Sequence, residues 1–123
     1  MLSSEEILFF AGRPLKLELY EAIRSLLLAR FSYVRIDVKK TQISFRARTI
    51  FAMVSLPRSK AQEKSESSVI LTLGLHRAAA HPLIFQCVEP YPNRFTHHAL
   101  ISAPADMDDA LITLIEEAYA LHR

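Results

Sequence analysis

Only two glycines, one cysteine and no tryptophan occur among 123 residues. With Gly12 and Gly74 alone, the chain has neither the glycine-rich turn of a dinucleotide-binding fold nor a phosphate-cradling P-loop. Cys87 has no partner for an intramolecular disulfide, and its apolar setting from Phe85 to Val88 predicts a small buried hydrophobe more readily than a nucleophile. Long apolar runs are missing as well. Val69 to Leu75, interrupted by Thr72, falls far below the roughly 20 residues of a bilayer-spanning helix. The first ten residues carry Glu5 and Glu6 where a secretory signal would be basic, so the expected location is the cytoplasm, with no membrane partner. His76, His81, His97, His98 and Cys87 show neither CxxC nor HxxxH spacing, and neither a metal nor a cofactor is expected.

What remains is a globular composition. Half of the residues are apolar and 23% are charged, which excludes intrinsic disorder. The length suits one domain, 1–123, able to bury about two-thirds of its unfolded surface. Fifteen Lys and Arg against thirteen Asp and Glu leave a formal charge of only +2, so any basic surface must come from uneven distribution.

Ser3 or Ser4 can cap a short helix, with Glu5 and Glu6 in its first turn and Ile7 to Phe10 toward the core. Pro14 opens a second helix to about Ala29, in which Leu15, Leu19, Ile23, Leu26 and Leu27 recur at helical spacing. From Tyr33 to Lys39 the period falls to two and predicts a half-buried strand. A turn or bulge at Lys39 to Thr41 shifts the phase into a second alternating strand, Lys40 to Arg48. Ile50 to Leu56 reads as a central strand, 57–68 as an exposed internal loop, and Val69 to Leu75 as a further strand. Ile84 to Glu89 and Arg94 to Ser102 follow, joined through Pro90-Tyr91-Pro92-Asn93. Asp106 is the expected cap of a terminal helix, with Asp108 and Asp109 as helix-start chemistry. The predicted class is α+β: a mainly antiparallel sheet of about five to six strands, with N-terminal and C-terminal helices packed on one face.

The alternating strand supplies the main candidate site. Lys40, Gln42, Ser44, Arg46 and Arg48 fall on one face, a polar strip roughly 13 Å long. Arginines grip carboxylate or phosphate with two prongs and Lys40 adds a point charge, so the strip suits an anion. Neighbouring strand residues point to opposite faces, so His97 and His98 cannot share one ligand. His97 falls with Phe95, Ala99 and Ile101 as a buried, hydrogen-bonded or proton-carrying group. His98 falls with Thr96 and joins the polar surface, with Arg94 nearby. Phe45 lies on the core side, so base-stacking aromatics are missing from the strip and nucleic-acid contact has little support.

The segments Phe10-Ala11-Gly12-Arg13-Pro14, Lys40 to Arg46, Leu71 to Leu75, Val88-Glu89-Pro90, Arg94 to His98 and Glu117-Ala118-Tyr119 together resemble the uncharacterised bacterial family called domain of unknown function 5655. More remotely, the chain looks like the small YdhG-like α+β domains. The family often has tryptophan where this chain has Phe95, so an aromatic there is conservative. The resemblance implies a small stand-alone or appended domain and no catalytic residue. The residues themselves point to a binding module that takes an anionic small molecule or an acidic protein segment through Lys40, Gln42, Ser44, Arg46, Arg48, Arg94 and His98. The alternatives are an enzyme with a strand histidine as general base and a weak nucleic-acid-binding accessory domain. A homodimer through a strand edge is compatible with the pattern.

Overall fold

The computed structural model describes all residues, 1–123. Helices α1 (Ser4–Phe9) and α2 (Pro14–Arg30) precede strands β1 (Arg35–Val38), β2 (Ile43–Arg46), β3 (Ile50–Ser55) and β4 (Val69–Leu75). Strands β5 (Ile84–Tyr91) and β6 (Arg94–Ile101) follow, then a 3-10 turn at Pro104–Asp106 and α3 (Asp109–His122). The strands form one antiparallel sheet in the order β1-β2-β3-β4-β6-β5. This is the expected α+β class with N- and C-terminal helices.

One row across the sheet explains the two faces. Ile43 pairs with Val54, Val54 with Leu71 and Leu71 with Ala99, and all four side chains are buried under α2 and α3. Leu19, Tyr20, Ile23 and Leu27 descend from α2, and Leu111, Leu114, Ile115 and Ala118 from α3, at the three- and four-residue spacing that puts them on one side of each helix. The neighbouring row, Ser44, Met53, Thr72, His98 and Gln86, points to the other face, which is lined by no residue of α2 or α3 and is reached by α1 only through Phe9.

Several local expectations are corrected. In α1, Ser3 is the cap and forms a reciprocal box with Glu6, but Ile7 and Leu8 are exposed. Glu6 is buried instead, where Tyr20 donates to its carboxylate and Arg24 Nε bonds it at 2.8 Å. The cap of α3 is Asp108, which accepts from Leu111 N at 2.8 Å, whereas Asp106 binds back to Ser102 N at 2.8 Å. The Leu111 N–H and His81 hold the Asp108 carboxyl below the ordinary carboxylate range. Cys87 is exposed, because β5 is the outermost strand and lies beyond the cover of the helices. The Pro90-to-Asn93 connection is all trans, with Asn93 in the left-handed region at φ 61°, a conformation asparagine tolerates.

Candidate functional site

The face turned away from α2 and α3 is concave. A cavity of about 680 Å³ lies over it, walled by the Lys40–Gln42 turn, Phe9 of α1, Arg58 and Gln62 of the 57–68 loop, and Phe85 and Gln86 of β5. Met53, Ser55, Ile70, Thr72 and His98 from β3, β4 and β6 also line it. No acidic side chain lines the cavity, and neither Lys40 nor Arg58 is in an ion pair. Both cations therefore retain their charge for a ligand.

The predicted strip divides. Because β2 starts only at Ile43, Lys40 and Gln42 sit in the preceding turn, and this puts them at the cavity rim. Ser44 is fully buried beneath and is bonded by Gln42 Nε2 at 3.2 Å, so it fixes that amide. Arg46 turns to Asp37 on β1, with Nε 3.2 Å from the carboxylate. The register shifts between Phe45 and Arg46, and a tight turn follows in which Ala47 N bonds Thr49 O at 3.0 Å. That shift places Arg48 in a different cavity, with Arg30 and Arg123. Arg94, opposite Tyr91 at the hairpin end, lines a third, smaller hollow with His76 and His122.

The histidines separate as strand parity requires. His97 is buried on the helix side, and its Nε2 accepts from Ala79 N at 2.9 Å. That bond puts the ring proton of neutral His97 on Nδ1, which is buried without a partner. His98 faces the cavity. Its Nδ1 is 2.9 Å from Thr72 Oγ1, no hydrogen bond engages Nε2, and its ring stacks near Phe85 with centroids 6.3 Å apart. Burial, then the Arg58 guanidinium, then His97 lower its pKa below the ordinary histidine value, so the ring is neutral at pH 7. Two strands lie between His98 and the Lys40–Gln42 turn, so these groups meet across the cavity as facing walls.

Other contributors carried weak sequence signals. Thr72 is a polar position in the otherwise apolar β4, a pattern that parity could have flagged, and Gln86 breaks the apolar start of β5. Phe85 enters only because the ladder is irregular between Ile84 and Gln86, so that two consecutive residues face the cavity side of His98. Arg58 and Gln62 depend on how the loop is tied down. Lys16 is a buried cation on α2 whose Nζ donates to Ser68 O at 2.8 Å and pairs with Glu63 at 2.7 Å. Ser67 Oγ donates to Ser102 O at 2.6 Å, and Gln62 Oε1 accepts from Arg58 N at 2.8 Å. These bonds fix the wall that brings Arg58 beside His98.

No cluster of three His, Cys, Asp or Glu side chains is placed to hold a metal ion. No helix is long and apolar enough to cross a membrane. No curated protein and no solved structure matches the chain, and the remoter likeness to YdhG-like domains finds no support. Residues 9–122 match the family described as Domain of unknown function (DUF5655), a span that includes every wall of the cavity, and the chain belongs to that family.

Proposed function

We propose that this domain is a binding module for a small anionic molecule, held in the cavity over the sheet face turned away from α2 and α3. One observation carries the reading: two cations without ion-pair partners, Lys40 and Arg58, converge with Gln42, Gln62, Gln86 and His98 on a cavity that no acid lines. The volume, about 680 Å³, is within the roughly 300–1,000 Å³ range of small-molecule sites. Lys40 and Arg58 supply charge, the three amides direct hydrogen bonds, and Phe85 with Phe9 offers apolar cover. A concavity of this size favours a free small molecule over an extended acidic segment. Screening small carboxylates and phosphates by thermal shift, then titrating the tightest binder, tests the reading. Replacing Lys40 and Arg58 together by alanine is expected to weaken that binder at least 100-fold, since charged hydrogen bonds contribute about 1.5–3 kcal/mol each. The melting temperature should stay within about 2 °C, because both side chains are exposed. Undiminished binding in the double variant would remove the assignment.

A second reading, His98 as general base, is favoured by its lowered pKa, its Thr72 anchor and its unengaged Nε2. The two readings differ in pH dependence. In the folded state His98 gains its proton only below the ordinary value of 6.5, so affinity for an anion that does not itself titrate should rise as pH falls through that lower range. His98→Gln should flatten the rise and leave neutral-pH binding nearly intact. A general base gives the opposite trend: turnover of a bound ligand that grows with pH through the same range and vanishes in His98→Gln. Titrations and product assays from pH 4.5 to about 8 decide between them.

A further inference from the structure

The second cavity lies apart from the ligand site proposed above and does not depend on it. It measures about 610 Å³ and opens where the ends of α2 and α3 meet the β2–β3 turn. Its floor is a fixed aromatic group. Phe31 stacks on Tyr119 at 4.6 Å between centroids, Phe51 meets Tyr119 edge-on at 5.2 Å, and the Tyr119 hydroxyl donates to Ser32 O at 2.7 Å.

Three arginines line this cavity, and no acidic side chain does. Arg30 uses only Nε, bonded to the exposed Glu116 at 3.1 Å, so its two terminal nitrogens have no hydrogen bond. Arg48 and Arg123 are in no ion pair at all. They are held near each other by their neighbours in the chain: Thr49 N donates to His122 O at 2.9 Å, and Thr49 Oγ1 lies 2.8 Å from His122 Nδ1. Arg48 and Arg123 thus bring to one cavity positive charge that no acidic side chain pairs.

Tyr33 adds the second observation. It lines the same cavity, is 95% exposed, and is held in the left-handed region at φ 57°. That conformation is uncommon for an aromatic residue and is one a glycine would adopt without strain. A solvent-facing ring kept in such a backbone, beside unpaired guanidinium groups, is suited to stack on a planar ring attached to a phosphate. Guanidinium forks match phosphate oxygens two at a time, which favours a terminal phosphate with several free oxygens over a single carboxylate.

We infer that this cavity binds a nucleoside phosphate monoester, with the phosphate between Arg30, Arg48 and Arg123 and the base against Tyr33. The monoester can belong to a free nucleotide or to the phosphorylated end of a single strand, and the chemistry recognised is the same.

Calorimetric titration at low salt tests the inference with adenosine 5′-monophosphate, adenosine, inorganic phosphate, and a short thymidine oligonucleotide with and without a 5′-phosphate. The intact protein is expected to bind the monophosphate more tightly than either of its parts. Tyr33→Gly, which relieves the left-handed backbone, should weaken binding at least fivefold without loss of folding. Arg48→Gln with Arg123→Gln should weaken it at least tenfold, and Lys40→Ala should leave it unchanged. If the 5′-phosphorylated strand binds and the 5′-hydroxyl strand does not, the ligand is a strand end; if neither binds while the monophosphate does, it is a free nucleotide. No binding of either phosphorylated probe overturns the inference. So does equal binding of phosphate alone, equal binding of both strands, or loss of binding in Lys40→Ala with retention in the arginine variants.

Discussion

Truncating Phe45 to alanine is expected to lower the melting temperature by on the order of 10–20 °C. The ring is fully buried at the centre of β2 and packs 6.2 Å from Tyr20 of α2, which in turn lies 5.0 Å from Phe10 at the end of α1. It therefore joins the sheet to both N-terminal helices. Deleting a buried phenyl group costs about 3–5 kcal/mol, because the lost transfer energy is compounded by a cavity that the sheet cannot close. A domain of this length holds about 5–15 kcal/mol in total, and each kcal/mol moves its midpoint by roughly 3–5 °C. Thermal unfolding followed by circular dichroism measures the effect. A shift of less than about 5 °C would mean that the ring is not the tie between helices and sheet.

Glu6→Ala is expected to be nearly as damaging, about 3–5 kcal/mol, although it removes only an acid from a short helix. The Glu6 carboxylate is buried and receives the Tyr20 hydroxyl, Arg24 Nε at 2.8 Å and Ser3 N at 2.8 Å. Alanine leaves the phenol and the guanidinium without their acceptor and opens the cap of α1. The exposed pair Arg30–Glu116, by comparison, contributes at most about 1 kcal/mol. Burial acts to raise the pKa of Glu6, but the bonds from Tyr20, Ser3 and Arg24 outweigh it and hold the carboxyl below its ordinary value of 4.5. The folded protein thus binds fewer protons here than the unfolded chain. The stability from this group is complete above the ordinary value and drains away as pH falls through the lowered one. Burial and the bond to Glu6 push the Tyr20 phenol far upward, so it remains a donor throughout. Denaturant unfolding at pH 7 and pH 3.5 should show a large gap between native protein and Glu6→Ala at the higher pH and a smaller one at the lower. An equal gap at both would contradict the charged role of Glu6.

Strand parity was legible in the sequence because it is a local property. Alternation alone separates Ile43 and Phe45 from Ser44, and His97 from His98, and the sheet keeps both separations. The helices were legible for the same reason, from three-to-four spacing and the Ser3 cap of α1, although α3 is capped by Asp108 and not by Asp106. What composes the cavity was not, because it depends on contacts remote in the chain. Lys16 on an apolar helix stripe acquires meaning only through Ser68, 52 residues later, and Arg58 gains its place through that same loop. The polar strip looked continuous because Lys40 to Arg48 alternates without a break. A turn before Ile43 and a register shift after Phe45 divide it among separate surfaces. Exposure of Cys87 was hidden too, since an apolar run cannot announce that its strand will lie at the edge of the sheet.

Binding of a small anion through Lys40 and Arg58, on the sheet face turned away from α2 and α3, is open to direct observation. Its most direct measurement is a two-dimensional NMR titration of the labelled domain with the tightest carboxylate or phosphate from the screen. Amide shifts are expected to concentrate at Lys40–Gln42, Arg58, Gln62, Thr72, Gln86 and His98 and to disappear in the Lys40→Ala, Arg58→Ala double variant. Shifts confined to the helix side of the sheet, or equal shifts in that variant, would contradict it.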